Sequence, residues 1–123
     1  MPFDELIQGP QWMPIVRDYI EAHVHEPLRV SQLAELANVH PVYFARVFKA
    51  KSGMSVLRYV RQRKVRAASA TMMGEKRVRL VDVANEFGFA DQAHFSRVFR
   101  EEFGASPSKF RASQSTTVNA LVA

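Results

Sequence analysis

The sequence predicts an all-α protein of about seven helices, built as two similar lobes joined by one longer helix. Apolar residues recur at three- and four-residue spacing along most of the chain, as a buried helical face requires. Proline, glycine, asparagine and serine fall where helices start and stop. A twelve-residue stretch in the first half returns 51 residues later, so one structural unit is used twice.

Residues 1–13 carry no periodic signal and are left unassigned. From Pro14, placed where a first turn tolerates proline, Ile15, Val16, Tyr19, Ile20, His23 and Val24 keep helical spacing until Pro27 stops the pattern. Ser31 is the expected N-cap of a short second helix carrying Leu33, Ala34, Leu36 and Ala37, and Asn38, which tolerates the left-handed conformation, ends it. Pro41 opens a third helix with Phe44, Val47 and Phe48 inward, closed by Gly53. Ser55 caps the long helix, which runs to Gly74. With Leu57 as zero, Val60, Val65, Ala68 and Met72 fall in an arc of about 140°. Arg58, Arg63 and Arg66 lie outside that arc, whereas Arg61 and Lys64 fall inside it and must either snorkel or find a partner.

The second half repeats the scheme. Leu80, Val81, Val83, Ala84 and Phe87 mark a short helix ended by Gly88; Asp91 caps another with Phe95, Val98 and Phe99 buried and Gly104 after it. Ser106 and Pro107 start one or two more turns, and from Ser113 the chain reads as a frayed tail. The organisation is thus a first lobe over 14–54, a connecting helix over 55–74, a second lobe over 75–112 and a tail over 113–123.

Composition narrows the function. The chain has 123 residues, no cysteine, 47% hydrophobic and 24% charged residues, which describes one ordinary globular domain without a disulfide framework or a cysteine zinc site. No window is apolar enough to span a bilayer, and the first residues lack the pattern of a signal peptide, so a cytoplasmic protein without a membrane partner is expected. No glycine-rich phosphate loop or Gly-x-Ser-x-Gly elbow is present; His23 and His25, two apart on a helix, point away from each other, and His40 and His94 have no Asp, Glu or His partner at ligand spacing. No catalytic residue, metal or cofactor is expected.

The charge is concentrated. Residues 36–79 hold eleven basic residues against one acidic, whereas residues 1–35 hold two against six. So dense a cationic run repels itself unless a polyanion neutralises it.

The repeat locates the rest. FARVFKAKSGMS at 44–55 and FSRVFREEFGAS at 95–106 match at an offset of 51, pairing Phe44 with Phe95, Arg46 with Arg97, Val47 with Val98 and Gly53 with Gly104. Upstream the offset is 50, pairing Ala34 with Ala84 and Asn38 with Gly88, so the second copy carries one extra residue near Ala90. Short helix, tight turn, second helix is the helix-turn-helix unit. With the phenylalanines inward, Val42, Ala45 and Arg46 of the first copy and Gln92, Ala93, Ser96 and Arg97 of the second are the candidates for reading base edges. Alanine and valine suit a thymine methyl, glutamine adenine, and arginine guanine. Tyr43, Lys49, Arg58, Arg63, Arg66, His94 and Arg100 are the candidates for phosphate. The expected partner is double-stranded DNA. RNA or single strands would call for exposed stacking aromatics, and most of the aromatics here fall on apolar stripes.

The segment VANEFGFADQAHFSRVFREEFGASPSKFR, Val83 to Arg111, resembles the signature of the AraC/XylS family of transcription regulators. That signature runs alanine, Gly-Phe, a polar residue before Phe-x-Arg-x-Phe, then Phe-Gly-x-Ser/Thr-Pro and a closing aromatic-arginine pair. LAELANVHPVYFARVFKAKSGMSVLRYVRQRK resembles the family's first motif and connecting helix, so the likeness covers about residues 14–111. His40 stands where the family usually has a serine N-cap, and Val42 and Ala45 are apolar where some members carry polar readers. The resemblance implies an all-α domain that binds asymmetric promoter sites in successive major grooves and contacts RNA polymerase; a monomer or weak dimer is expected. It also implies that such a domain can be fused to an N-terminal sensor in a longer chain.

Overall fold

The structure, a computed structural model, describes residues 9–74 and 78–113, and no strand occurs among them. Among the described residues six helices follow in order: α1 (Trp12–Ala22), α2 (Val30–Ala37), α3 (Pro41–Ser52), α4 (Val56–Met72), α5 (Leu80–Glu86) and α6 (Gln92–Phe103). A seventh helical stretch, α7, covers 107–113. The chain divides at Arg63 and Lys64 into two compact units, so the boundary falls inside α4.

In the first unit, α1 begins two residues before Pro14 and buries Met13, Val16 and Ile20, leaving Ile15 exposed. Trp12 and Met13, unassigned in the sequence, therefore belong to the helix. Proline at the third helical position is harmless because the first N–H groups of a helix have no partner inside it. α2 also starts earlier than its serine suggests. Arg29, extended, is the N-cap, its C=O accepts from the Leu33 N–H at 3.1 Å, and Ser31 lies within the first turn. Against Leu33 and Ala34 pack Phe44 and Phe48 of α3 and Val56 and Val60 of α4, with Trp12, Tyr19 and Tyr59 closing the edges. Each fully buried phenylalanine contributes about 1.5–3 kcal/mol of transfer free energy.

The second unit is built the same way. Val83, Ala84 and Phe87 of α5 and its end, Phe95, Val98 and Phe99 of α6, and Val65, Ala68 and Met72 of α4 are buried. A chain of aromatic contacts runs from Phe89 through Phe95 and Phe99 to Phe103 and Phe110, with centroid separations of 4.5 to 5.8 Å.

Hydrogen bonds prove the repeat residue by residue. The Val39 N–H donates to the Ala34 C=O at 3.1 Å, and the Phe89 N–H to the Ala84 C=O at 3.0 Å, which is the offset of 50. The Phe44 N–H donates to the His40 C=O, and the Phe95 N–H to the Asp91 C=O, which is the offset of 51. The extra residue is therefore Ala90. Beyond the repeated glycines, the Arg58 and Lys109 N–H groups donate to the Oγ of Ser55 and Ser106 at 3.2 and 3.3 Å, so both serines cap as their sequence positions predict.

α4 keeps most of the expected arc: Val60, Val65, Ala68 and Met72, all placed in it, are buried, and so is Lys64. Val56, Val60, Lys64, Ala68 and Met72 are buried, every fourth residue, while Leu57 and Arg61 are exposed. Four residues turn about 400°, so each step overshoots by about 40° and the buried stripe winds about 160° around the helix between its ends. The first half of the helix contributes to the first core and its second half to the other. Lys64 finds a partner: the stem is buried and Nζ donates to the Phe87 C=O at 3.3 Å, at the C-terminal end of α5 where a cation is favoured. Ser113, expected to begin the tail, is helical, and residues 114–123 lie outside the described residues.

Candidate nucleic-acid interface

The N-terminus of α3 is set by His40, whose Nδ1 accepts from the Val42 N–H at 3.1 Å while Pro41 supplies the first helical residue. Histidine thus does what serine does at such a position, a role its residue type does not announce. Asp91 is the counterpart in α6, its Oδ1 accepting from the His94 N–H at 2.7 Å. Gly53 and Gly104 end the two helices with φ of 83° and 78°, and no side-chain atom stands where a Cβ would go, so their conformation and not crowding calls for glycine.

Between those ends each helix presents one exposed stripe. On α3 it is Val42, Arg46 and Lys49; on α6 it is Ala93, Arg97 and Arg100, residue for residue at the offset of 51. Val42 and Tyr43 are 60% and 53% exposed, large values for such side chains. Gln92 is exposed at the start of α6, whereas Ala45 and Ser96 are half-buried beside the stripe, which leaves backbone close to whatever approaches. His94 is half-buried, its ring edge-on to Phe89 at 5.3 Å and its Nδ1 enclosed without a hydrogen-bond partner, so only Nε2 can serve an outside group.

The basic residues fall into two sets. Among the described residues no carboxylate engages Arg46, Lys49, Arg58, Arg97 or Arg100, and Arg97 makes no ion pair with Glu101 one turn on. Arg63 and Arg66 are held inside their units. Arg63 Nε is bonded to Glu21 of α1, and Arg66 Nε and Nη2 lie 2.8 and 2.7 Å from Glu102 Oε1 of α6. Those glutamates are 42 and 36 residues away in sequence, so no local pattern announces them. At the start of α5, the hydrogen bond and charge of Asp82 raise the pKa of Arg79. Among the described residues no helix is long and apolar enough to cross a membrane.

Two repeated helix-turn-helix units, each with two basic residues on its outer stripe, define a DNA-binding regulator. A family model described as a helix-turn-helix domain matches residues 33–113, and the chain belongs to the AraC-type family of transcription regulators. The regulatory protein SoxS of Salmonella typhimurium is 31% identical over 94 residues, which cover 76% of this chain and 87% of that protein. The bifunctional transcriptional activator/DNA repair enzyme AdaA of Bacillus subtilis is 26% identical over 110 residues, 89% of this chain, so the chain spans about half (52%) of that relative's length. The DNA-binding domain of the global transcriptional factor AdpA, solved in complex with a target DNA, shares the fold at a TM-score of 0.75 with 24% identity, covering 85% of this chain and 93% of that one.

Proposed function

We propose that the protein is a sequence-specific regulator that inserts α3 and α6 into successive major grooves of an asymmetric promoter site. The observation that carries this reading is the repeated stripe: an arginine that no carboxylate among the described residues engages stands at the same place on both helices, one turn in from a capped N-terminus, with a lysine or arginine one turn further out. Arginine at that depth suits the O6 and N7 of guanine, and the outer cation suits phosphate. AdpA, bound to its target DNA, has the same fold.

Base readout falls to Val42, Ala45 and Arg46 in one groove and to Gln92, Ala93, Ser96 and Arg97 in the other. Lys49, Arg58 and Arg100 carry most of the phosphate contact, Tyr43 and His94 adding to it from the first turns. Arg63 and Arg66, expected to do the same, spend N–H groups on glutamates and contribute less. The domain acts as a monomer or weak dimer in the bacterial nucleoid, touches RNA polymerase, carries no catalytic activity, and in a longer chain joins an N-terminal sensor.

Selection of bound sequences from a random duplex library tests this. The expected consensus is two unlike half-sites about one turn apart. Inserting about 5 base pairs between them turns one groove away and should reduce affinity to that of one lobe. A palindromic site, or full affinity after the insertion, would overturn the two-groove reading.

A further inference from the structure

We infer that Val42 reads the methyl group of a thymine, so that the first half-site contains a thymine one or two base pairs from the guanine taken by Arg46. The inference rests on the reading that α3 enters a major groove, and it adds a base identity to that reading.

Val42 is the most exposed of the large hydrophobic side chains among the described residues, at 60%. It is also the second residue of α3, the end of a recognition helix that goes deepest into a groove. Along the stripe the side chain nearest that end, valine, is short, and the arginine and lysine further along are long. That order matches a helix entering by its N-terminus, because a short side chain reaches a base only where the backbone is nearest. The Val42 N–H is already occupied by the His40 Nδ1 at 3.1 Å. What this position offers a base pair is hydrocarbon alone.

In the major groove thymine presents a methyl beside its O4, while guanine and adenine present hydrogen-bonding edges and cytosine an amino group beside a bare C5–H. Pressing an isopropyl group on those edges strips water from them without replacing its hydrogen bonds, which is unfavourable. Against a methyl the same group buries apolar surface on both sides. Val42 and Arg46 are separated by about 6 Å of helix rise, which spans one or two base-pair steps and fixes the spacing of thymine and guanine. The second lobe has Ala93 at the equivalent place, a single methyl, so its sensitivity to a thymine methyl is the smaller of the two.

The test uses the whole chain and a site obtained by selection from random duplexes, with the first half-site identified as the one whose guanine preference Arg46→Ala relaxes. Each thymine is replaced in turn by deoxyuridine, which removes the methyl and nothing else, and affinities of the wild type and Val42→Ala are measured by fluorescence anisotropy. The variant changes an exposed side chain, and circular dichroism checks that its melting is unchanged. Deoxyuridine at one position of the first half-site should weaken the wild type about fourfold, the factor that corresponds to burying one methyl group. Val42→Ala should lose about the same on the thymine site and lose little further when that thymine becomes deoxyuridine. If the wild type binds every deoxyuridine duplex as tightly as the parent, or if Val42→Ala keeps the full penalty, the inference is overturned although groove reading stands. If selection returns no consensus, the groove reading itself fails and the inference goes with it.

Discussion

Replacing Arg66 by alanine distinguishes an internal tie from a contact with DNA. Its guanidinium places Nε and Nη2 2.8 and 2.7 Å from one oxygen of Glu102, whose side chain is 18% exposed against 49% for the arginine. A fully exposed pair is worth about 0.2–1 kcal/mol, and removing one partner of a buried pair costs about 3–5. One partly exposed and one mostly enclosed partner place Arg66→Ala between these limits, at about 1–2 kcal/mol. For a domain of this size that lowers the melting temperature by about 5–10 °C. Thermal melts of the wild type, Arg66→Ala, Glu102→Gln and the double variant provide the cycle, and the double variant should be little worse than the poorer single one because both break the same interaction. In parallel, DNA affinity is followed against salt concentration. An internal tie leaves the slope of log affinity against log salt unchanged, whereas a lost phosphate contact flattens it by about 0.9. An unchanged melting temperature together with a flattened slope would refute the assignment and return Arg66 to the interface.

Arg46→Ala and Arg97→Ala should each cost about 1–3 kcal/mol at one or two base positions, seen as relaxed selectivity in a competition assay, with nonspecific affinity nearly unchanged. His40→Ala removes the acceptor of the Val42 N–H and should cost about 1 kcal/mol of stability by denaturant titration, while His40→Ser, which keeps an acceptor, should recover most of it. Phe99→Ala, at a fully buried side chain in contact with Phe95, Phe103 and Phe110, should cost about 3–5 kcal/mol.

What could be read from the sequence was local or repeated. Asn38 at φ 57°, Gly53, Ser55, Asp91, Gly104 and Ser106 all stand where they were expected, because capping and left-handed turns depend on a few adjacent residues. The inward phenylalanines followed from helical spacing, and the duplicated Arg46 and Arg97 followed from the repeat. What was not legible depends on distance in the chain. On α4 Leu57 and Arg61, both inside the expected arc, are exposed, since two cores share that helix and its buried stripe winds. Nothing near Arg63 or Arg66 points to Glu21 or Glu102. α2 starts from Arg29, whose N–H donates to the Gln32 Oε1, two residues before Ser31, the better capping residue by type.

Ala90 has a consequence for how such a protein can change. It is exposed, it lies between the bond that closes α5 and the cap that opens α6, and the first lobe manages without an equivalent. A codon gained or lost here leaves both helices and their hydrogen bonds in place, because insertions at an exposed turn cost little. The aim of the second recognition helix can therefore shift in whole-residue steps while its own sequence stays untouched. Directed evolution of new binding sites has two independent dials, the identities of the outer stripe and the length of this turn.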